Sequence, residues 1–131
     1  MTDKHDHIDR LLQLWRSTPF VYGESDCMLS VGDYLASRGV LDVTGQFRST
    51  YNDEAAALAH VAAFGGVCGL IDLTGLQRTA SPARGDVVCL WTGEIEVGAV
   101  CTGIGIAARL ERGVVEVDMR LVKIVQSWKV P

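Results

Sequence analysis

The sequence predicts an α+β protein, in which N-terminal helices pack on a small antiparallel β-sheet formed by the second half of the chain. Three observations predict this class. Apolar residues recur at helical spacing before Pro82, short apolar runs of strand length follow it, and glycine-containing turns separate those runs. No internal repeat, low-complexity tract or linker interrupts the order. We therefore expect one domain over residues 1–131.

Two helices are expected before residue 40. The first ends before Pro19, and its apolar stripe is spaced i, i+3, i+4 and i+7: Ile8, Leu11, Leu12 and Trp15. The second covers residues 26–38 and has one apolar face, which comprises Cys27, Val31, Tyr34 and Leu35. Ser25 is a suitable N-cap for it, and Gly39 is a suitable C-terminal stop.

A third, alanine-rich helix is expected over residues 54–64. Asn52 or Asp53 can cap its start, and the glycine pair at 65–66 ends it. A short helix through Leu70 and Ile71 is weakly indicated. The first half of the chain is therefore helical.

Five strands are expected after Pro82, in a simple meander. They cover residues 86–91, 97–102, 104–110, 114–119 and 122–128. The first is a continuous apolar run, which is typical of a buried central strand. Thr92-Gly93 and residues 111–113 provide turns between neighbouring strands.

Composition and charge exclude several classes of function. The formal net charge is −4 and no stretch is densely basic, which argues against general binding to nucleic acid or to an anionic membrane. The arginines, Arg109 among them, are spread along the chain and are expected on a solvated surface. The apolar runs at 85–91 and 97–108 are too short to cross a bilayer, and the polar N-terminus indicates no signal peptide.

The four cysteines are expected to be free thiols, most of them buried as small apolar residues. They are widely spaced and form no C-x-x-C pair, so we expect neither a metal nor a cofactor. His5, Asp6 and His7 could hold a stray divalent ion, but a polar terminus is more often solvated.

Cys27 is the most informative candidate for chemistry. If Ser25 caps the second helix, Cys27 lies in its first turn, where free N–H groups and the helix dipole lower the pKa of a thiol and can also hold an oxyanion. The alternative is that Cys27 faces the core beside Val31 and Tyr34.

Residues 20–27 (FVYGESDC) resemble the nucleophile motif of the NlpC/P60 cysteine peptidases, which are small papain-like domains with Asp-Cys at a helix N-terminus. Residues 82–88 (PARGDVV) resemble the Gly-Asp segment that opens their first central strand. The resemblance implies a papain-like α+β fold, with Cys27 as nucleophile, Tyr22 as an oxyanion donor and Asp26 as a residue that shapes the motif. Within the clan, the chain is most similar to small proteins of tailed phages and prophages, which share features such as Tyr51, the glycine pair at 65–66 and the aromatic strand at 126–130.

The general base that this family uses has no counterpart here. A cysteine peptidase needs a histidine to take the thiol proton, and the family carries it on the strand after the Gly-Asp strand. No histidine follows His60, which is a weak candidate base in the middle of a predicted helix. The loop before Asp26 is also shorter than usual, and Met28-Leu29 replaces the Ser-Gly that often follows the cysteine.

Two hypotheses about function remain. In the first, the protein is a degenerate peptidase that serves as a structural or docking part of a phage tail tip or baseplate, made in the host cytoplasm and carried in the virion tail. Its partners would be other tail proteins, and the loop at 41–51 with Phe47, Arg48 and Tyr51 would be a lid or contact surface. In the second, Cys27 is an active nucleophile that cleaves peptidoglycan stem peptides.

Overall fold

The computed structural model describes residues 4–131, with side chains from residue 7 onward, and within this range it confirms the α+β class. The helices are α1 (Lys4–Ser17), α2 (Cys27–Ser37), α3 (Glu54–Ala63) and α4 (Gly66–Asp72). The strands are β1 (Arg78–Thr79), β2 (Val87–Trp91), β3 (Glu96–Cys101), β4 (Gly105–Leu110), β5 (Gly113–Asp118) and β6 (Lys123–Trp128). Two short 3₁₀ helices cover Gly45–Phe47 and Met119–Leu121.

The sheet is antiparallel, with strand order β1-β6-β2-β3-β4-β5. The predicted meander is right for β2 to β5 and wrong for β6, which returns to pair with β2 so that Val88 lies opposite Ser127. β2 is apolar along almost its whole length and is best stabilised with a neighbour on each edge. The two-residue strand β1 was not predicted, because two residues carry no periodicity.

Helices α1 and α2 bury the faces that their sequence spacing predicts. All four stripe residues of α1 are buried, and α2 buries Val31, Tyr34 and Leu35. Gly98 of β3 lies directly under Val31, which allows α2 to approach the sheet closely. Arg38 caps the C-terminus of α2, and Gly39 follows with φ of +78°, as a C-terminal stop requires.

Helix α3 is less tightly packed than the other helices. Asp53 caps it by accepting a hydrogen bond from the Ala56 N–H at 2.8 Å, and none of its residues is fully buried. Gly65 and Gly66 both have positive φ, which ends α3 and turns the chain into α4. The weakly indicated fourth helix is thus confirmed, and the loose packing of α3 leaves space beneath it.

The loop at 41–51, which we expect to be a lid or a contact surface, does not expose its two aromatic residues. Phe47 and Tyr51 are buried, and they form a small core with Leu29 and Leu70. Arg48 is fixed by bonds to the Glu24 carbonyl and the Asp33 carboxylate. Through Arg48 the loop anchors the segment before α2, and through Leu41, Val43 and Thr44 it borders the cleft described below.

None of the described helices taken singly has the length and apolar character needed to cross a membrane. Taken together, α3 and α4 have that length and apolar character, but they are bent by 58° relative to each other.

Candidate functional site

Asp26, not Ser25, caps α2. The Asp26 carboxylate accepts hydrogen bonds from the Leu29 N–H at 2.9 Å, from the Gly23 N–H at 2.8 Å and from the Tyr51 hydroxyl. Ser25 Oγ instead closes the preceding turn, between the Val21 N–H and the Pro19 carbonyl. Because the cap lies one residue later than expected, Cys27 is the first residue of the helix.

Arg109 holds the segment before Cys27 from the sheet side. This β4 residue is 2% exposed, and its guanidinium donates to the backbone carbonyls of Ser25 (2.7 Å), Trp15 and Thr18. The expectation that Arg109 lies on a solvated surface is therefore wrong. Its burial lowers its pKa, and among the described residues no carboxylate pairs with it. Arg109 joins the end of α1, the Cys27 loop and the sheet.

A cleft of about 500 Å³ opens beside Cys27, between α2, α3, α4 and the sheet. Most of its lining is apolar, including Met28, Val31, Leu58, Val61, Leu70 and Val97. Tyr22, Asp26 and Cys27 also line it, so the structure brings together three of the four site residues that the sequence predicted. Four glutamates contribute to its polar lining: Glu54, Glu94, Glu96 and Glu111.

The pKa of Cys27 is raised, although a helix N-terminus by itself lowers the pKa of a thiol. Burial, followed by the negative charge of Asp26, raises the pKa of the Cys27 thiol to about 12. Backbone N–H groups of Met28 and Cys27 act in the other direction, as expected at the start of a helix, but they are outweighed. Cys27 is therefore a neutral thiol at physiological pH.

Tyr22 lies beside the thiol, where it could donate to an oxyanion. Burial and the nearby carboxylates of Glu111 and Glu54 raise its pKa to about 12, so the hydroxyl keeps its proton. That hydroxyl donates to Glu54 Oε2 across a long 3.4 Å. Its role as an oxyanion donor stays a prediction.

His60 is not part of the cleft lining. Its ring packs against Phe47 (centroids 4.8 Å apart) and Tyr51 (5.4 Å), and Nε2 lies 3.3 Å from the hydroxyl of Thr50. Among the described residues that line the cleft, none is a histidine. His60 thus has the environment of a half-buried packing residue, and its role as a base stays a prediction without a supporting contact.

Two features of the site were not assigned from the sequence. The hydrogen bond from Tyr51 to Asp26 joins residues 25 positions apart, and no local pattern predicts it. The clamp of Arg109 on Trp15, Thr18 and Ser25 spans still longer separations. Both contacts depend on the tertiary arrangement.

The fold and the site define the class: an α+β protein with a cysteine at the start of a helix, facing an apolar cleft. Residues 1–130 match the family described as Domain of unknown function (DUF6950), and the chain belongs to this family. Comparisons with curated proteins and with solved structures found no match.

Proposed function

We propose that this protein is a degenerate member of the NlpC/P60 clan, with a papain-like fold, that acts as a structural or docking component of a phage tail tip or baseplate. Support for the clan comes from the motif at 20–27 and from the order of the elements, with Cys27 opening a helix that packs on an antiparallel sheet. The tail assignment rests on the resemblance to small tail-associated members of that clan.

The surroundings of Cys27 carry the proposal that catalysis has been lost. Carboxylates and phenols surround the thiol, no histidine is among the described residues that line its cleft, and Asp26 and Glu54 both raise the pKa of Cys27. Loss of one member of a catalytic triad costs about 10⁴-fold or more in rate. A neutral thiol without a base is a poor nucleophile for an amide bond.

The cleft offers a surface for a partner protein in the tail. Its lining combines apolar side chains with four glutamates and two arginines, Arg109 and Arg112, which would suit a largely apolar segment that carries a few charged residues. The weak packing of α3 would allow the cleft to adjust on binding.

One observation favours the second candidate, an active cysteine peptidase that acts on peptidoglycan. The backbone N–H groups of Cys27 and Met28 face the sulfur, so the first turn of α2 could stabilise a thiolate or the oxyanion of an acyl intermediate. In that case Cys27 would attack the carbonyl, Tyr22 would donate to the oxyanion, and a base would have to come from elsewhere.

The two candidate functions are distinguished by the rate at which iodoacetamide alkylates Cys27 at different pH values. Peptide mass mapping identifies the alkylated residue. For a degenerate peptidase we expect slow labelling of the folded protein at pH 7–8, with no plateau below about pH 10, and normal labelling after unfolding. Rapid labelling at neutral pH, reporting a pKa well below about 8.5, would contradict the loss of activity.

Digestion of purified peptidoglycan gives a direct test of the chemistry, with Cys101→Ala as the matched control because Cys101 is a buried thiol outside the cleft. We expect the wild type, Cys27→Ala and Cys101→Ala all to release no more peptide than a blank. Release by the wild type and by Cys101→Ala, but not by Cys27→Ala, would establish the peptidase instead.

The tail assignment is tested separately by mass spectrometry of purified virions and of their isolated tails. Absence of the chain from tails would refute that part of the proposal.

A further inference from the structure

Three potential metal ligands meet on the side of the sheet that faces the helices. Cys68 comes from the first turn of α4, Cys89 from β2 and Glu96 from β3. Their two sulfur atoms and a carboxylate oxygen all lie within 4.8 Å of one another. Cys68 is well separated in sequence from the β2–β3 hairpin that carries Cys89 and Glu96, so the three side chains meet only in the folded chain.

The sheet register explains how Cys89 and Glu96 come to share a face. Cys89 lies opposite Gly98, and Glu96 is two residues before Gly98 on the same strand. The two side chains therefore project to the same side as diagonal neighbours.

The start of α4 holds the carboxylate in place. The Val67 N–H donates to Glu96 Oε1 at 3.3 Å, and a Cβ at Gly66 would come within 2.9 Å of that same oxygen. Glu96 is thus oriented by backbone before any ligand arrives, as carboxylates in metal sites commonly are. Cys68, one residue after Val67, completes the group.

We propose that Cys68, Cys89 and Glu96 form a binding site for a divalent cation of the zinc type. Two thiolates and one carboxylate are a donor set that zinc accepts, with bond lengths of about 2.3 Å to sulfur and about 2.0–2.2 Å to oxygen. A tetrahedral ion with these bonds holds its ligand atoms about 3.6–3.8 Å apart, so the observed group needs a contraction of only about 1 Å.

Three protein ligands leave a fourth position for water or for a ligand in the cleft. Glu96 itself lines the cleft, whereas Cys89 is fully buried behind it. Binding releases the two thiol protons, so affinity rises with pH. The site is independent of Cys27, which lies on α2 and is not one of the three ligands.

Titration with Co²⁺ under a non-thiol reductant, with the full-length chain, tests the site. We expect one equivalent of Co²⁺ to bind and to give a near-ultraviolet band from thiolate-to-cobalt charge transfer. We expect Zn²⁺ to displace the Co²⁺, because zinc accepts tetrahedral coordination without an electronic cost. Cys68→Ser and Glu96→Gln are the test variants, since both side chains are partly exposed and both variants should fold. Each should weaken binding at least about tenfold, because even the loss of an outer-shell partner costs 10–100-fold.

Matched controls address the other possible ligands. Cys101→Ser and Cys27→Ser remove thiols outside the group, and a His5→Ala/His7→Ala double variant removes the two histidines near the N-terminus. All three should bind Co²⁺ like the wild type. The proposal is overturned if the wild type shows no charge-transfer band, if Cys68→Ser and Glu96→Gln bind like the wild type, or if a control loses the band to the same extent.

Discussion

Replacement of Arg109 by methionine probes the contact that joins α1, the Cys27 loop and the sheet. Methionine has a similar length and fills much of the same space, but it cannot donate to the carbonyls of Trp15, Thr18 and Ser25. Loss of the guanidinium therefore leaves three acceptors without their donor. The bond to Trp15 is buried, and the other two are partly buried and more open to water.

The environments of these three hydrogen bonds determine how much the free energy of unfolding should fall in Arg109→Met. A hydrogen bond to a charged group contributes about 1.5–3 kcal/mol, and bonds that water can replace contribute less. Among the described residues this buried cation has no carboxylate partner, so its removal recovers part of its desolvation cost and offsets some of the loss. We therefore expect Arg109→Met to lower the free energy of unfolding by about 2–4 kcal/mol.

Urea denaturation followed by circular dichroism measures this change. With a slope of about 2 kcal/mol per molar urea, in the middle of the usual range, the midpoint should fall by about 1–2 M. Arg112→Met is the matched control, because Arg112 is exposed and its replacement should change stability by less than about 0.5 kcal/mol. If Arg109→Met unfolds within 0.5 kcal/mol of the wild type, the clamp does not stabilise the fold and the reasoning fails.

Three further predictions concern the segment around Cys27. Asp26→Ala should lower the free energy of unfolding by about 3–5 kcal/mol in chemical denaturation, because it removes a helix cap and leaves the Gly23 N–H and the Tyr51 hydroxyl unpaired. Tyr51→Phe removes only one of these hydrogen bonds, so it should lower the free energy of unfolding by less. Equal losses in the two variants would contradict this account. Gly23→Ala should lower the melting temperature at least twice as much as Gly39→Ala. Both glycines have positive φ, but of the two only Gly23 would bring a Cβ against backbone, 2.1 Å from the Tyr51 carbonyl oxygen. Similar decreases in melting temperature would show that the loop can move aside. Burial raises the pKa of Cys27 to about 12, so the folded thiol keeps its proton at a pH where the unfolded thiol loses it. The contribution of this thiol to the free energy of unfolding is therefore fully present below the ordinary thiol pKa and decreases as the pH rises toward 12. Between about pH 9 and 11 the wild type should therefore lose up to about 1.4 kcal/mol per pH unit more than Cys27→Ser, and parallel profiles would rule out a raised pKa.

Local patterns in the sequence were sufficient to predict most of the elements. The apolar spacing of α1 and α2, the glycines that end α2 and α3, and the apolar run of β2 each act within about one element length, so they can be read without the tertiary structure. The pairing of β6 with β2 could not be predicted in this way, because strand order depends on contacts between residues more than 30 positions apart.

The candidate site shows the same division. The sequence by itself determined that Cys27 lies in the first turn of a helix, that an aspartate precedes it and that no histidine follows residue 60, whereas the structure decided that Asp26 is the cap. The tertiary structure decided the protonation of that thiol, because burial outweighs the local effect of the helix N-terminus. It also decided that Arg109 is a buried clamp and that Cys68, Cys89 and Glu96 form one group, since both depend on side chains that come together only when the helices pack on the sheet.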